Sequence, residues 1–134
     1  MTVVLDTNII VVSLTSRSPY HKIFTALKDD LYTLALSTEI LMEYEEKISE
    51  KYSSNAAHEL LNLLSELPNV QFTTVYYQWQ LIQADKEDNK FVDCAIASAA
   101  DYLVTEDNHF NILRQIEFPK VNVVDIDGFL ELLR

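Results

Sequence analysis

The chain has 134 residues, of which 49% are hydrophobic, and it carries 21 acidic against 10 basic side chains for a formal net charge of −11. This length predicts one compact domain, residues 1–134, with enough apolar residues for a sizeable core. The acidic balance argues against a protein that holds nucleic acid through a broad basic surface, but it leaves open an enzyme that meets nucleic acid through bound metal.

Strand-like and helix-like segments alternate along the chain. Short apolar and β-branched runs predict strands at residues 3–5, 33–36, 70–72, 102–104 and 121–124. The segments between them predict helices over about residues 9–14, 20–28, 38–51, 54–66, 89–100, 110–115 and 126–133. This alternation predicts an α/β fold of three layers, α/β/α, whose central sheet is twisted, mostly parallel and built from four or five strands.

Two of these segments need separate comment. In the helix predicted over residues 38–51, Ile40, Tyr44 and Ile48 form an apolar stripe. Glu43 lies about 60° from that stripe, which lets it point along the edge of the core toward a cleft. The segment 73–84 has partial alternation and predicts either a short extra strand or a helical turn with an extended tail. Its aromatic residues either pack or stack on bases.

Five acidic residues are expected to converge at one edge of the sheet. Asp6 and Asp107 follow strands that should be central neighbours, and ligands bind at the carboxyl ends of such strands. Asp93 is the only charge in the apolar run 91–100, Asp88 precedes the same helix, and Glu43 comes from the helix after the second strand. Carboxylates this close repel each other unless a cation neutralises them. The sequence therefore predicts a magnesium or manganese site, because both ions prefer oxygen ligands.

Each of these acids also has a structural interpretation that the sequence leaves open. Asp6 and Asp88 are candidates to cap helices, and Asp107 to form an Asx turn. Glu43 is a candidate to pair with Lys47 four residues later on its helix. Asp93 is the hardest to explain in this way, because its neighbours are apolar.

Polar residues flank two of the acids and are candidates to support them. They are Thr7, Asn8, Thr105 and Asn108. Their side chains are expected to hydrogen-bond the carboxylates or metal-bound waters. His109 follows shortly after Asp107, and we expect it to be a surface residue rather than a catalytic one.

Single copies of cysteine and glycine exclude further classes of protein. Cys94 is the only cysteine, so neither an internal disulfide nor a thiolate zinc cluster can form. Gly128 is the only glycine, whereas the phosphate-binding loops of kinases, nucleotide hydrolases and nicotinamide-dependent dehydrogenases need several. The first residues include no basic leader, and no apolar run approaches the length of a membrane span. We therefore expect a cytoplasmic protein.

Four segments resemble, in order and at family spacing, the acidic motifs of PIN-domain ribonucleases. They are residues 3–9, 36–44, 85–95 and 102–110. Asp6, Glu43 and Asp107 stand at the acidic positions of the first, second and fourth motifs. Either Asp88 or Asp93 stands at that of the third. One departure is Glu106, because the fourth motif commonly has glycine before its acid.

The closest resemblance is to the VapC-like toxins of bacterial toxin–antitoxin pairs. It implies a magnesium- or manganese-dependent endoribonuclease that hydrolyses RNA phosphodiester bonds, a small antitoxin partner and often a homodimer. On this hypothesis Asp6, Asp93 and Asp107 hold the principal metal ion, Glu43 positions the ion or the attacking water, and Asp88 serves a second ion. The alternatives are a catalytically silent protein-binding module and a DNA nuclease of the same fold.

Overall fold

Five parallel strands form one sheet in the order β3-β2-β1-β4-β5. A computed structural model describes residues 1–134 of the chain. The strands are β1 (Thr2–Leu5), β2 (Thr33–Leu36), β3 (Val70–Phe72), β4 (Tyr102–Val104) and β5 (Val123–Val124). The chain builds outward from β1 to β3 on one side and then adds β4 and β5 on the other. This reversal of direction opens a crevice beyond the carboxyl ends of β1 and β4.

Six α-helices connect these strands, and the predicted α/β class with a parallel sheet flanked by helices is confirmed. They are α1 (Thr7–Ser13), α2 (His21–Lys28), α3 (Thr38–Lys51), α4 (Ser54–Glu66), α5 (Asn89–Ala97) and α6 (Ile126–Leu132). Serine side chains cap α3 and α4, because the hydroxyls of Ser37 and Ser53 each accept a backbone hydrogen bond. None of the helices combines the length and apolar character that crossing a bilayer requires.

Several elements differ from the predicted ones: α1 begins two residues earlier than predicted, and β5 is shorter than the predicted strand over residues 121–124. The α5 helix ends at Ala97 rather than at residue 100, because the chain turns through a left-handed conformation at Ala99, with φ of 53°. The helix predicted over residues 110–115 is a 3₁₀ helix that begins earlier and spans Asn108–Gln115. A second 3₁₀ helix, Lys86–Asp88, leads directly into α5.

The sheet buries its central strands on both faces. Val3, Val4 and Leu5 of β1 have no exposed surface, as expected of a parallel strand covered on both sides. Tyr44 of α3 is also fully buried, and its hydroxyl donates to the carbonyl oxygen of Leu5. This contact fixes the end of β1, from which the next residue enters the crevice.

The connecting segment, residues 73–84 between β3 and the first 3₁₀ helix, is neither the predicted strand nor the predicted helical turn. It contains no regular secondary structure. Side chains of α5 supply the hydrogen bonds that a neighbouring strand would otherwise provide. Asp93 Oδ1 accepts from the N–H of Trp79 (3.1 Å), and the amide of Asn89 pairs with both the N–H and the carbonyl of Ile82 (2.9 and 2.8 Å). The segment is therefore held against α5 as an irregular wall.

Candidate active site

Asp6 lies at the crevice, directly after β1, and is only 8% exposed. Its N–H donates to the carbonyl of Val104 (3.0 Å), which extends the pairing of β1 with β4. Its carboxylate accepts from the N–H of Thr7 through one oxygen and from the hydroxyl of Thr105 through the other, both at 2.7 Å. The capping role that the sequence left open is therefore present, and it orients the carboxylate toward the crevice.

Burial raises the pKa of Asp6 to about 6. The hydrogen bonds from Thr105 and Thr7 lower it in part, and the negative charges of Asp88 and Glu43 raise it further. The raised pKa of Asp6 thus reflects the burial of this residue and its closeness to carboxylates from two other elements. Ionising Asp6 in the folded protein is unfavourable unless a cation is bound nearby.

Glu43 approaches the same site from α3. One of its carboxylate oxygens accepts from the hydroxyl of Thr7, and the other lies 2.8 Å from Nζ of Lys90. Lys90 also lies 3.1 Å from Oε2 of Glu87, and its side chain is only 9% exposed. The pair between Glu43 and Lys47 does not form, since Lys47 lies instead 3.7 Å from Oε2 of Glu50. The neighbour of Glu43 is therefore a cation of α5.

Asp107 and Asp88 complete the group, with His109 between them. The hydroxyl of Thr105 accepts from the N–H of Asp107 (3.0 Å), and Asp107 Oδ1 accepts from the N–H of His109 (2.8 Å) in the expected Asx turn. His109 Nδ1 lies 3.1 Å from Asp88 Oδ2 and 3.4 Å from Asp107 Oδ1. Burial raises the pKa of Asp88, as do the charges of Asp107 and Asp85, against the hydrogen bond with His109. The four acids Asp6, Glu43, Asp88 and Asp107 are thus linked in one network.

Asp85 and His109 are members of this site that the sequence reasoning missed. Ligand atoms of Asp85, Asp88 and His109 all lie within 4.8 Å of one another. His109 is partly exposed, as expected, but it contacts two acids. The signal for Asp85 was its spacing of three from Asp88, because side chains three apart in a 3₁₀ helix lie on one side.

The structure does not bring Asp93 into the cluster. Asp88 and Asp93 are five positions apart, which separates them by about 140° around a helix. Asp93 is 6% exposed and points to the connecting segment, where it accepts from Trp79. Burial raises its pKa, the hydrogen bond from Trp79 opposes this, and Glu39 is the only charge that contributes. The two candidate acids of the third motif, Asp88 and Asp93, therefore lie in two different places.

The four flanking polar residues also fall into two groups, one inside the hydrogen-bond network of the site and one outside it. Thr7 and Thr105 are buried and hold Glu43 and Asp6 as described. Asn8 and Asn108 are exposed and lie outside this hydrogen-bond network. Glu106 is also exposed, and its φ is not positive, so the glycine common at this position is not needed for the backbone here.

The donor set of the cluster fits a hard divalent cation. Ligand atoms of Asp85, Asp88 and His109 lie within 4.8 Å of one another, Asp6, Glu43 and Asp107 are connected to them through hydrogen bonds, and the one cysteine is not among them. Such a set suits magnesium or manganese. Lys90 and His109 are the basic side chains that contact the acids, so negative charge remains in excess. This excess is what a bound cation would neutralise.

The chain matches the family model of the PIN domain over residues 2–109. Among solved structures it is similar to VapBC2 from Rickettsia felis bound to a DNA fragment from their promoter, with 19% identity and a TM-score of 0.62 over 93% of this chain and 98% of that chain. It is also similar to VapBC-1 from nontypeable Haemophilus influenzae, with 18% identity and a TM-score of 0.58 over 95% and 99%. No curated protein sequence matches the chain significantly. These structures share its fold.

The raised pKa of Asp6 predicts that this residue destabilises the metal-free protein at neutral pH. The ordinary value of 3.8 applies to the unfolded chain and about 6 to the folded one. The folded state therefore binds the proton more tightly, and the associated stability is full below pH 3.8 and is lost as the pH rises to about 6. A shift of this size corresponds to roughly 3 kcal/mol. We expect Asp6→Asn to be more stable than the wild type by up to that amount at about pH 8, and by nearly nothing at about pH 4.

Urea unfolding in the presence of a chelator at several pH values measures this difference. Asp30→Asn is the matched control, because Asp30 is exposed and its φ of 60° is one that asparagine adopts readily. The control should follow the wild type at every pH. Equal stability of Asp6→Asn and the wild type at high pH would contradict the assignment of crowded, buried charge.

Proposed function

The chain belongs to the PIN-domain family, and we propose that it is a metal-dependent endoribonuclease that hydrolyses RNA phosphodiester bonds in the cytoplasm as the toxin of a toxin–antitoxin pair. The observation that carries this proposal is the joining of Asp6, Glu43, Asp88 and Asp107 at the crevice between β1 and β4. Family membership supports a nuclease. PIN nucleases generally use divalent metal ions, and the acidic cluster could bind one. The similarity to VapBC2 and VapBC-1 supports the toxin role.

Asp6, Asp88 and Asp107 would hold the principal magnesium or manganese ion, and Glu43 lies beside them. Asp85 and His109 offer further ligand atoms around Asp88. Such an ion, when bound, lowers the pKa of a coordinated water and stabilises the charge that develops on the phosphate. We leave Asp93 outside this set, because its carboxylate faces the connecting segment.

Several residues prepare the site without touching the reacting atoms. Thr7 and Thr105 donate to Glu43 and Asp6 and so hold both carboxylates in one orientation. Burial tends to lower the pKa of Lys90, but its hydrogen bonds with Glu43 and Glu87 raise it overall, which keeps its ammonium charged. That ammonium group lies 2.8 Å from Glu43 and offsets part of its negative charge.

One observation favours a second candidate function, a protein-binding module that no longer cuts. Lys90 occupies one oxygen of Glu43, and His109 lies between Asp88 and Asp107. The acids are thus partly neutralised by the protein itself. A silent module would bind no manganese in the micromolar-to-millimolar range, whereas the proposed nuclease would.

We expect Asp6→Asn to lower RNA cleavage at least about a hundredfold while the fold persists, because loss of a ligand should exceed the effect of losing its hydrogen-bond partner. Cleavage of a labelled single-stranded RNA with magnesium or manganese measures this, beside a DNA strand of the same sequence. A chelator should stop the wild-type reaction, and Asp30→Asn should cut at the wild-type rate. Full activity of purified Asp6→Asn would refute the metal role. Faster cutting of DNA than of RNA would favour the DNA nuclease.

Calorimetric titration with manganese distinguishes the two acids of the third motif. We expect Asp88→Asn to weaken manganese binding by at least about tenfold, because Asp88 lies in the cluster. Asp93→Asn should change the affinity by less than about threefold. The same charge is removed in both variants, so a general loss of negative potential cannot explain a difference between them. The opposite ranking would return Asp93 to the metal site.

We expect the protein to co-purify with a small antitoxin that covers the acidic crevice with a basic or apolar segment. The net charge of −11 attracts cationic segments over several ångströms at physiological salt. Affinity of the purified pair should therefore fall as sodium chloride is raised from about 0.05 to 0.5 M. Addition of the partner should also inhibit RNA cleavage. Binding that is insensitive to salt would argue against this electrostatic account.

A further inference from the structure

A groove of about 550 Å³ lies between the N-terminal end of α3 and the connecting segment, and a second part of about 530 Å³ continues it toward the start of α5. Glu39, Gln78, Gln80, Lys90 and Asp93 line both parts, which we call the side groove. Its size is that of a small-molecule site. Lys90 joins it to the carboxylate cluster, since Lys90 also contacts Glu43.

Asp93 is the acidic side chain of the side groove that α5 holds in place. The residue is only 6% exposed, one oxygen accepts from the N–H of Trp79, and the other has no hydrogen-bond partner in the protein and stays in contact with the solvent of the groove. A carboxylate oxygen in so confined a place favours a hydrogen-bond donor beside it. Lys90 does not serve as that donor, because its ammonium lies between Glu43 and Glu87. The free oxygen of Asp93 is therefore open to a ligand that donates hydrogen bonds.

A metal ion does not fit the side groove. Asp93, Glu39 and Glu87 are the acids that line the side groove, and their oxygens do not form a close group like that of Asp85, Asp88 and His109. A phosphate does not fit either, since the three carboxylates outnumber the lining lysines, Lys86 and Lys90, and Lys90 is already paired with Glu43 and Glu87. The ligand must instead be neutral and carry N–H groups.

The rest of the lining suits a flat ring with polar edges. Gln78 and Gln80 present amides that donate and accept. Tyr76 and Tyr77 stand at the groove with 92% and 64% of their surface exposed, and exposed aromatic rings stack on nucleobases. Single-stranded RNA is recognised in this way, by stacking and by hydrogen bonds to base edges.

We propose that the side groove binds one guanine base of the RNA strand and that the free oxygen of Asp93 accepts from the base. This inference rests on the proposed function, since the groove opens beside the cluster that would cut the strand. Guanine presents a ring N–H and an amino group side by side, and these two donors match the free oxygen of Asp93 together with the second acceptor site of the oxygen that accepts from Trp79. Uracil flanks its single N–H with two carbonyl oxygens, which a carboxylate repels. Inosine lacks only the amino group of guanosine and is therefore the matched probe.

Binding is measured apart from cleavage, with Asp6→Asn protein and manganese present. The ligands are labelled pentamers of uridine whose central residue is guanosine, inosine or uridine, and the readout is fluorescence anisotropy. We expect the guanosine pentamer to bind about tenfold more tightly than the inosine pentamer. Adding Asp93→Asn should bring the two within about threefold of each other, whereas adding Asp30→Asn should leave the ratio unchanged.

Two features keep this test from reporting a merely structural change. Asparagine at this position retains the oxygen that accepts from Trp79, so the wall of the groove should stay in place, and emission from this single tryptophan checks it. Tyr76→Ala cannot disturb the core, because Tyr76 is 92% exposed. It should weaken every pentamer by roughly five- to a hundredfold and leave the preference for guanosine over inosine intact.

The results separate this inference from the proposed function. Equal binding of the guanosine and inosine pentamers, or no binding of any pentamer, would overturn the guanine site. So would a ratio that Asp93→Asn does not change, which is the result expected if the groove instead takes a segment of a partner protein. Preferential binding without any cleavage by the wild type would remove the proposed function and leave the site standing. Cleavage by the wild type without any base preference in binding would overturn the guanine site and leave the proposed function standing.

Discussion

The hydroxyl of Thr105 holds the two halves of the site together. It donates to the carboxylate of Asp6 and accepts from the N–H of Asp107. These contacts are possible because β1 and β4 are parallel neighbours, so that both strands end at the same edge of the sheet. Every other acid reaches the crevice from an element whose place is set by this pair of strands. The strand order therefore determines the site before any metal is considered.

Crowding of acids at this edge conflicts with folding. Asp6 is buried and loses hydration, while Asp88 and Glu43 add repulsion. The protein offsets part of this through Lys90 and His109, which contact three of the acids directly. The remainder is the electrostatic reason for a cation. A site that its own lysines neutralised fully would be more stable but would not attract a metal ion. The repulsion that remains between the acids is therefore consistent with a functional site.

Local signals explain how much of this could be predicted from the sequence. The bounds of α3 and α4 follow from their serine caps and from apolar residues four apart, and both helices begin and end at the predicted residues. Asp6, Glu43 and Asp107 could be placed because each follows or faces the end of a predicted element. Asp93 could not be placed in the same way, since apolar neighbours indicate burial but do not say on which side of a helix the burial occurs.

The sequence pattern did not give the rotation of α5 about its own axis, which decides which of its residues face the crevice. A helix that starts with the turn Lys86–Asp88 presents Asp88 to the crevice and carries Asp93 about 140° away. The connecting segment was ambiguous for a related reason. Its backbone bonds go to side chains of α5, and such pairing leaves no periodic trace in the sequence. Asp85 and His109 join the site across a 3₁₀ turn and an Asx turn, which sequence patterns mark only weakly.

Asp88 faces the carboxylate cluster and Asp93 faces the side groove, and this separation bears on how so acidic a protein could bind an RNA strand. A duplex presents mainly phosphates and 2′-hydroxyls to a protein, and a surface with eleven excess negative charges repels them. A single strand can turn its bases inward instead. The N–H groups on base edges are uncharged donors, so a carboxylate such as Asp93 attracts them while it repels the backbone phosphates. Only the phosphate next to the metal then needs compensation, and the cation supplies it. Acidity would thus select single strands rather than prevent binding.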